Sequence, residues 1–186
     1  MPTSASSNVT SSPLLLLLPG SRPGEIERHL PAMLGAVDLI CKSFPGLAVR
    51  MVLPNEQLAA MARTAKGSCE IEIQCGDLPQ ALRQATIAIA STGTVTMECA
   101  FFGVPTVALY KTSWSTYQIG KRLITVRFLA MPNLVANEEL FPEFNNSKPS
   151  GMTAIYARIP PIRRLNKEAY AVMGSAGVSQ CVSCPR

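Results

Sequence analysis

Histidine is almost missing from this sequence, with His29 the only one in 186 residues. Six cysteines are present, but only Cys181 and Cys184 stand at C-x-x-C spacing. Neither a second pair nor a group of histidines completes a zinc site, so no metal and no cofactor are expected. Long hydrophobic runs are missing too. The apolar stretch at 14–18 is closed by Pro13 and Pro19, far short of the roughly 20 residues a spanning helix needs. The twelve residues ahead of Pro13 contain no Lys or Arg, so they do not read as a secretory signal. These absences lead to the expectation of a cytoplasmic protein with free thiols, in which the sequons at Asn8 and Asn145 carry no meaning.

An excess of one charge is likewise lacking over most of the chain. Residues 1–147 hold 11 basic and 11 acidic side chains, and the net charge of +5 comes entirely from residues 148–186. There Lys148, Arg158, Arg163, Arg164, Lys167 and Arg186 face a single acid, Glu168. A few scattered charges on a tail are a weak attraction for phosphates or anionic lipid. A solvated tail explains them equally, and no nucleic-acid partner is expected.

What is present is alternation. Residues 1–13 are rich in Ser and Thr without apolar periodicity and read as a linker. The five leucines at 14–18 suit a strand buried on both faces. After the turn Pro19-Gly20-Ser21-Arg22-Pro23-Gly24, the residues Ile26, Leu30, Met33, Leu34, Val37 and Ile40 recur at helical spacing, predicting a helix to about Ser43. Strands are predicted at 48–53, 70–73, 86–90 and 106–110, and helices at 55–65, 78–84, 94–102 and 114–126. Strands alternating with helices predict βαβ units around a parallel sheet sandwiched by helices, a Rossmann-like α/β domain over 14–147. Residues 148–186, with Pro149, Pro160 and Pro161, read as a basic tail that is disordered or frameshifted, with one short helix at 166–173.

Two strand-to-helix turns carry the chemistry. At Gly20-Ser21-Arg22, glycine lets the backbone approach a phosphate, a helix N-terminus presents free N–H groups, and Arg22 can add a charge-assisted bond. An ordinary βα turn with a surface arginine has the same letters. Ser91-Thr92-Gly93-Thr94-Val95-Thr96-Met97-Glu98 brings four hydroxyls and a glycine to a second such junction, where they form a phosphate cradle. Glu98, one turn into that helix, can accept hydrogen bonds from two ribose hydroxyls, as the acid of dinucleotide sites does. A Thr N-cap with a capping-box acid would use the same local physics. Gly103-Val104-Pro105 is structural, ending a helix before the next strand.

The blocks PGSRPGEIERHLPAML, ASTGTVTMECAFFGVPTVALYK, TYQIGKRL and MPNLVANEELFPEF, in this order over residues 14–144, resemble those of lipid-A-disaccharide synthase, a bacterial GT-B glycosyltransferase. The S-x-G-T-x-T-x-E-x-x-x-x-G-x-P core is shared more loosely by other GT-B enzymes that use UDP-sugars; P-G-S-R-x-x-E-I and P-N-L…P-E-F narrow the resemblance. It implies that the chain forms the UDP-sugar-binding half of a GT-B architecture. Gly20, Ser21, Arg22, Ser91, Thr92, Gly93, Thr94 and Thr96 would lie at the UDP diphosphate, and Glu98 at the ribose. Asn133 and Glu143 would line the donor pocket, with loop capping as their alternative.

The family's reaction transfers 2,3-diacylglucosamine from its UDP donor to 2,3-diacylglucosamine 1-phosphate, inverting the linkage without a metal. No catalytic residue is expected in this chain, because the resemblance puts the base, the acceptor site and the membrane-facing surface in an N-terminal domain without counterpart here. The implied partners are therefore UDP-2,3-diacylglucosamine and an N-terminal-domain partner, with association at the inner membrane only through the missing half. The isolated chain is expected to be inactive.

Departures from the pattern are Thr92, where the family has a second serine, and Asn145-Asn146, where it has a glutamine. The family's closing helices find only a faint echo in Gly177-Val178-Ser179-Gln180. A fragment of an epimerase-like UDP-sugar enzyme and a gene remnant without function are the alternatives.

Overall fold

A computed structural model describes residues 12–65, 67–110 and 128–145. Four strand–helix steps and a fifth strand run in order: β1 (Leu14–Leu18), α1 (Pro23–Ser43), β2 (Ala48–Leu53), α2 (Glu56–Thr64), β3 (Glu72–Cys75), α3 (Leu78–Gln84), β4 (Ile87–Ser91), α4 (Thr94–Phe101) and β5 (Thr106–Tyr110). A short helix α5 (Met131–Ala136) and a final strand β6 (Glu143–Asn145) complete the described elements. The six strands are all parallel, in the order β3-β2-β1-β4-β5-β6. This is the strand order of a doubly wound Rossmann sheet, and it reverses between β1 and β4. The α/β expectation therefore agrees with the structure.

The run of leucines explains why β1 is central. Every one of its five residues is buried, and side chains alternate between the two faces of a strand. Leu15 and Leu17 join Ile26, Met33 and Val37 of α1 and Leu58 of α2 in one core. Leu14, Leu16 and Leu18 join Ala81 and Leu82 of α3 and Cys99 of α4 in the other. A sequence without polar alternation is what a strand covered on both faces requires.

Two local expectations differ from the structure. The strand expected at 70–73 lies two residues later, at Glu72–Cys75. Register with β2 sets it there, pairing Arg50 with Glu72 and Leu53 with Cys75, and the Arg50 Nε donates to Glu72 Oε2 at 2.8 Å. The free thiols expected throughout also fail at Cys41 and Cys69, which are joined as a disulfide with their Cα atoms 6.7 Å apart. The end of α1 packs beside the loop that leads into β3. Asp38 of α1 fixes that loop by accepting from the Ser68 and Cys69 N–H groups at 2.9 and 3.2 Å. Cys75 and Cys99 remain free, the first exposed and the second buried; burial pushes the Cys99 thiol up to about 11.

The helices expected at 114–126 and 166–173, most of the linker and the basic tail lie outside the described residues. Among the described residues no helix is long and apolar enough to cross a membrane.

Candidate functional site

In a doubly wound sheet the crevice for a ligand opens at the carboxyl ends of the strands, where the strand order reverses. Here that place is a cleft of about 550 Å³. Gly20, Ser21, Arg22 and Glu25 line it from the β1–α1 turn, and Ser91, Thr92, Gly93, Thr94, Val95 and Glu98 from the β4–α4 turn. A larger groove of about 810 Å³ runs between α1 and α2, walled by Ile26, Leu30, Leu34 and Met61. It lies on the helical flank rather than at the strand ends, and its Asp38 is already occupied by backbone N–H groups. The smaller cleft is the candidate site.

The β1–α1 turn is held from inside the fold. Buried His29 sits 2.8 Å by its Nδ1 from the Pro19 carbonyl, which can only accept, so the ring donates there. Gly20 has φ +131, a conformation that favours glycine. Arg22 is the N-cap of α1 and offers no capping side chain, while Pro23 opens the helix and brings no N–H. The Arg22 side chain is 82% exposed, so its guanidinium is available at the cleft mouth.

The β4–α4 turn is different in finish. Gly93, at φ +148, is the N-cap of α4 and has no side chain to cap with. The first N–H groups of the helix, at Thr94 and Val95 on the cleft wall, are thereby left for a ligand or water, at the positive end of the helix dipole. Glu98 is exposed one turn further on, also on the cleft wall. Among the described residues no cluster of three or more His, Cys, Asp and Glu exists that could hold a metal ion.

The structure thus brings Gly20, Ser21, Arg22, Ser91, Thr92, Gly93, Thr94 and Glu98 to one cleft, and separates three others from its lining. Thr96 is fully buried, and its Oγ1 donates to the Gly93 carbonyl at 2.6 Å. It faces into the helix because position 96 falls on the core side of α4. Asn133 is also fully buried: its Nδ2 donates to the Phe141 carbonyl at 2.7 Å and to Glu143 Oε1 at 2.8 Å, and its Oδ1 accepts from the Phe141 N–H at 2.8 Å. Glu143 accepts in addition from the N–H groups of Leu129 and Ala130 at 2.8 and 2.9 Å. The polar atoms of this pair are engaged in clamping the start of α5 to β6.

Other residues of the cleft carry no motif that sequence reasoning could seize. Val52, Leu53 and Pro54 at the end of β2, and Gly76, Asp77 and Leu78 after β3, close its far end. Gly76 and Asp77 both have positive φ, +71 and +47. Gln74 holds the turn by donating from Nε2 to the carbonyls of Gly76 and Asp77 at 3.0 and 3.2 Å. Glu25 was visible only as a letter in P-G-S-R-x-x-E-I.

Comparison with known proteins points one way. Among curated relatives, the lipid-A-disaccharide synthase of Solibacter usitatus (strain Ellin6076) is 38% identical over 141 residues, 75% of this chain and 36% of that protein. That of Pseudomonas putida (strain GB-1) is 31% identical over 155 residues, 81% of this chain and 41% of the relative. The chain spans about two fifths or less of the length of these relatives, 36% of the first and 41% of the second. Among solved structures, TarM superposes with a TM-score of 0.57 at 8% identity, covering 91% of this chain and 32% of that one. The pneumococcal O-GlcNAc transferase GtfA in complex with UDP and GlcNAc follows at 0.52 and 14%, covering 89% and 32%. At such identities these two speak for the Rossmann-like fold alone. The family model described as lipid-A-disaccharide synthetase matches residues 4–173, which includes both turns of the cleft, and the chain belongs to that family.

Proposed function

We propose that this chain is the UDP-sugar-binding half of a lipid-A-disaccharide synthase. In the reaction proposed, an acceptor hydroxyl of 2,3-diacylglucosamine 1-phosphate attacks the anomeric carbon of UDP-2,3-diacylglucosamine. The new C–O bond forms as the bond to the diphosphate breaks, a base takes the hydroxyl proton, and UDP departs with the electron pair. The base belongs to the half of the enzyme that these residues do not supply.

The task left to this chain is to hold the leaving diphosphate where its negative charge grows. Donors aimed at developing charge are the strongest single contribution a site of this kind makes. Arg22 from one side and the Thr94 and Val95 N–H groups with the Ser91, Thr92 and Thr94 hydroxyls from the other are suited to it. Glu98 takes the ribose hydroxyls, and the turn at Gly76–Asp77 takes the far, nucleobase end. Asn133 and Glu143 act by holding the α5–β6 segment.

The observation that carries this reading is the convergence of Arg22 and the uncapped N-terminus of α4 on one cleft at the switch point. Calorimetric titration with UDP and with uridine tests it. UDP should bind at least about tenfold more tightly than uridine, the scale of a charge-assisted hydrogen bond. Equal affinities, or no binding of either, would remove the diphosphate from the cleft. Disaccharide formation by the isolated chain from both lipid substrates would overturn the assignment of the base to the other half.

A further inference from the structure

The third residue of α1, Glu25, turns back across the helix N-terminus. Its Oε2 accepts from the Ser21 N–H at 2.9 Å. A capping-box acid reaches the N–H of the N-cap residue; this one reaches one residue further, into the turn itself. The backbone is shaped to admit it: a Cβ on Gly20 would stand 2.4 Å from Glu25 Oε2 and 2.7 Å from Glu25 Cβ. Gly20 is thus required twice, by its φ of +131 and by the carboxylate that occupies the space beside it. The other carboxylate oxygen lies 3.9 Å from Arg22 Nη1, too far for a direct hydrogen bond. A pair at that separation with its arginine exposed to solvent is weak, so Glu25 leaves the guanidinium available to a ligand.

We infer that Glu25 is a positioning residue for the diphosphate end of the cleft, acting through the Ser21 N–H to hold the Gly20–Arg22 turn in the shape that presents Arg22. The inference rests on the proposed binding of UDP and adds to it a residue that acts through the turn. The carboxylate brings a negative charge to a site meant for anions, and the geometry identifies what offsets that repulsion: a fixed turn. Its work lies in the hydrogen bond rather than in the charge. Glutamine, whose carbonyl oxygen can accept the same bond, should therefore replace it, and alanine should not.

The test uses the whole chain as wild type, Glu25→Ala and Glu25→Gln, titrated with UDP and with uridine. Amide exchange at Ser21 is followed in each by mass spectrometry. In Glu25→Ala, UDP affinity should fall about tenfold, the scale of a lost hydrogen bond to a charged group, while uridine affinity stays level. Glu25→Gln should bind UDP at least as well as wild type, and Ser21 exchange should accelerate in the alanine variant only. A general loss of structure would move uridine binding and UDP binding together, which would overturn the positioning role. So would Glu25→Ala binding UDP like wild type, or Glu25→Gln failing as alanine does. Tighter UDP binding by both variants would show a repelling charge instead. If wild type itself binds no UDP, the reading of the cleft falls and takes this inference with it; if wild type binds and alanine equals it, only the inference falls.

Discussion

At the end of β1 a glycine at φ +131 leads into a helix whose third residue folds back onto the Ser21 N–H. At the end of β4 a glycine at φ +148 leads into a helix whose third residue, Thr96, folds back onto the Gly93 carbonyl, so no side chain caps the first N–H groups. The two turns face each other across the place where the strand order reverses, and both begin with a buried strand and a glycine. One is closed by its own carboxylate and offers a cation, Arg22, in place of backbone donors. The other is left open and offers the backbone donors themselves. A turn tied down by its own side chain is a support, and a helix N-terminus left uncapped is a place for an anion. The pair divides the labour of holding a diphosphate.

The sharpest way to break this comparison is to add the same methyl group to each glycine. At Gly93 the new Cβ would meet nothing within 4 Å, whereas at Gly20 it would run into Glu25. Backbone strain of about 1–2 kcal/mol is expected in Gly93→Ala. Gly20→Ala adds steric crowding and should lose about 3 kcal/mol of stability. Urea unfolding measures both. Equal losses would mean that Glu25 moves aside without cost and that the closed turn is not closed by it.

Next in size is Arg22. Its side chain is 82% exposed, so Arg22→Ala should leave the melting temperature where it is and weaken UDP binding by about 1.5–3 kcal/mol. Calorimetry with an unchanged affinity would take Arg22 out of the site and leave the open turn to hold the anion alone.

The outcome at each residue also shows what could be read from the letters and what could not. Leu14–Leu18 announced a strand buried on both faces because five apolar residues without alternation have few other uses. The glycine and hydroxyl residues after β4 announced an anion cradle because that composition is needed wherever backbone must approach a phosphate. Asp77 announced nothing. A Gly-Asp pair ahead of a helix is ordinary turn chemistry, and only the order of the strands carries it to the cleft. The direction of a hydroxyl was equally hidden: Thr94 and Thr96 are two letters apart, yet the first is exposed on the cleft wall and the second is buried against Gly93. The offset of β3 depended on pairing with Arg50, a partner 22 residues away. The joining of Cys41 to Cys69 depended on two elements meeting in space.

Thr96 therefore gives a smaller and cleaner contrast with its neighbour. Thr96→Val keeps the shape and deletes the bond to the Gly93 carbonyl, so stability should fall by about 1 kcal/mol with UDP affinity of the folded chain unchanged. Thr94→Val should do the reverse. A fall in UDP affinity without loss of stability in Thr96→Val would return that hydroxyl to the ligand.

The smallest effect is expected at Glu98, and it separates recognition from capping at the open turn. Its side chain is exposed on the cleft wall and lies a full turn into α4, too far along the helix to cap the N-terminus by the usual reach from the third residue. An acid there gains only a little from the helix dipole, a few tenths of a kcal/mol at an exposed site. A carboxylate facing two adjacent ribose hydroxyls accepts from both at once, whereas an amide offers one acceptor oxygen and a competing pair of donors. Glu98→Gln should thus lower UDP affinity by about 1 kcal/mol and leave the melting temperature nearly unmoved. Uridine, which carries the same ribose, should lose as much, while inorganic pyrophosphate should lose nothing. A lowered melting temperature with all three affinities intact would make Glu98 a helix residue and would leave the open turn with a diphosphate site but no grip on the sugar beside it.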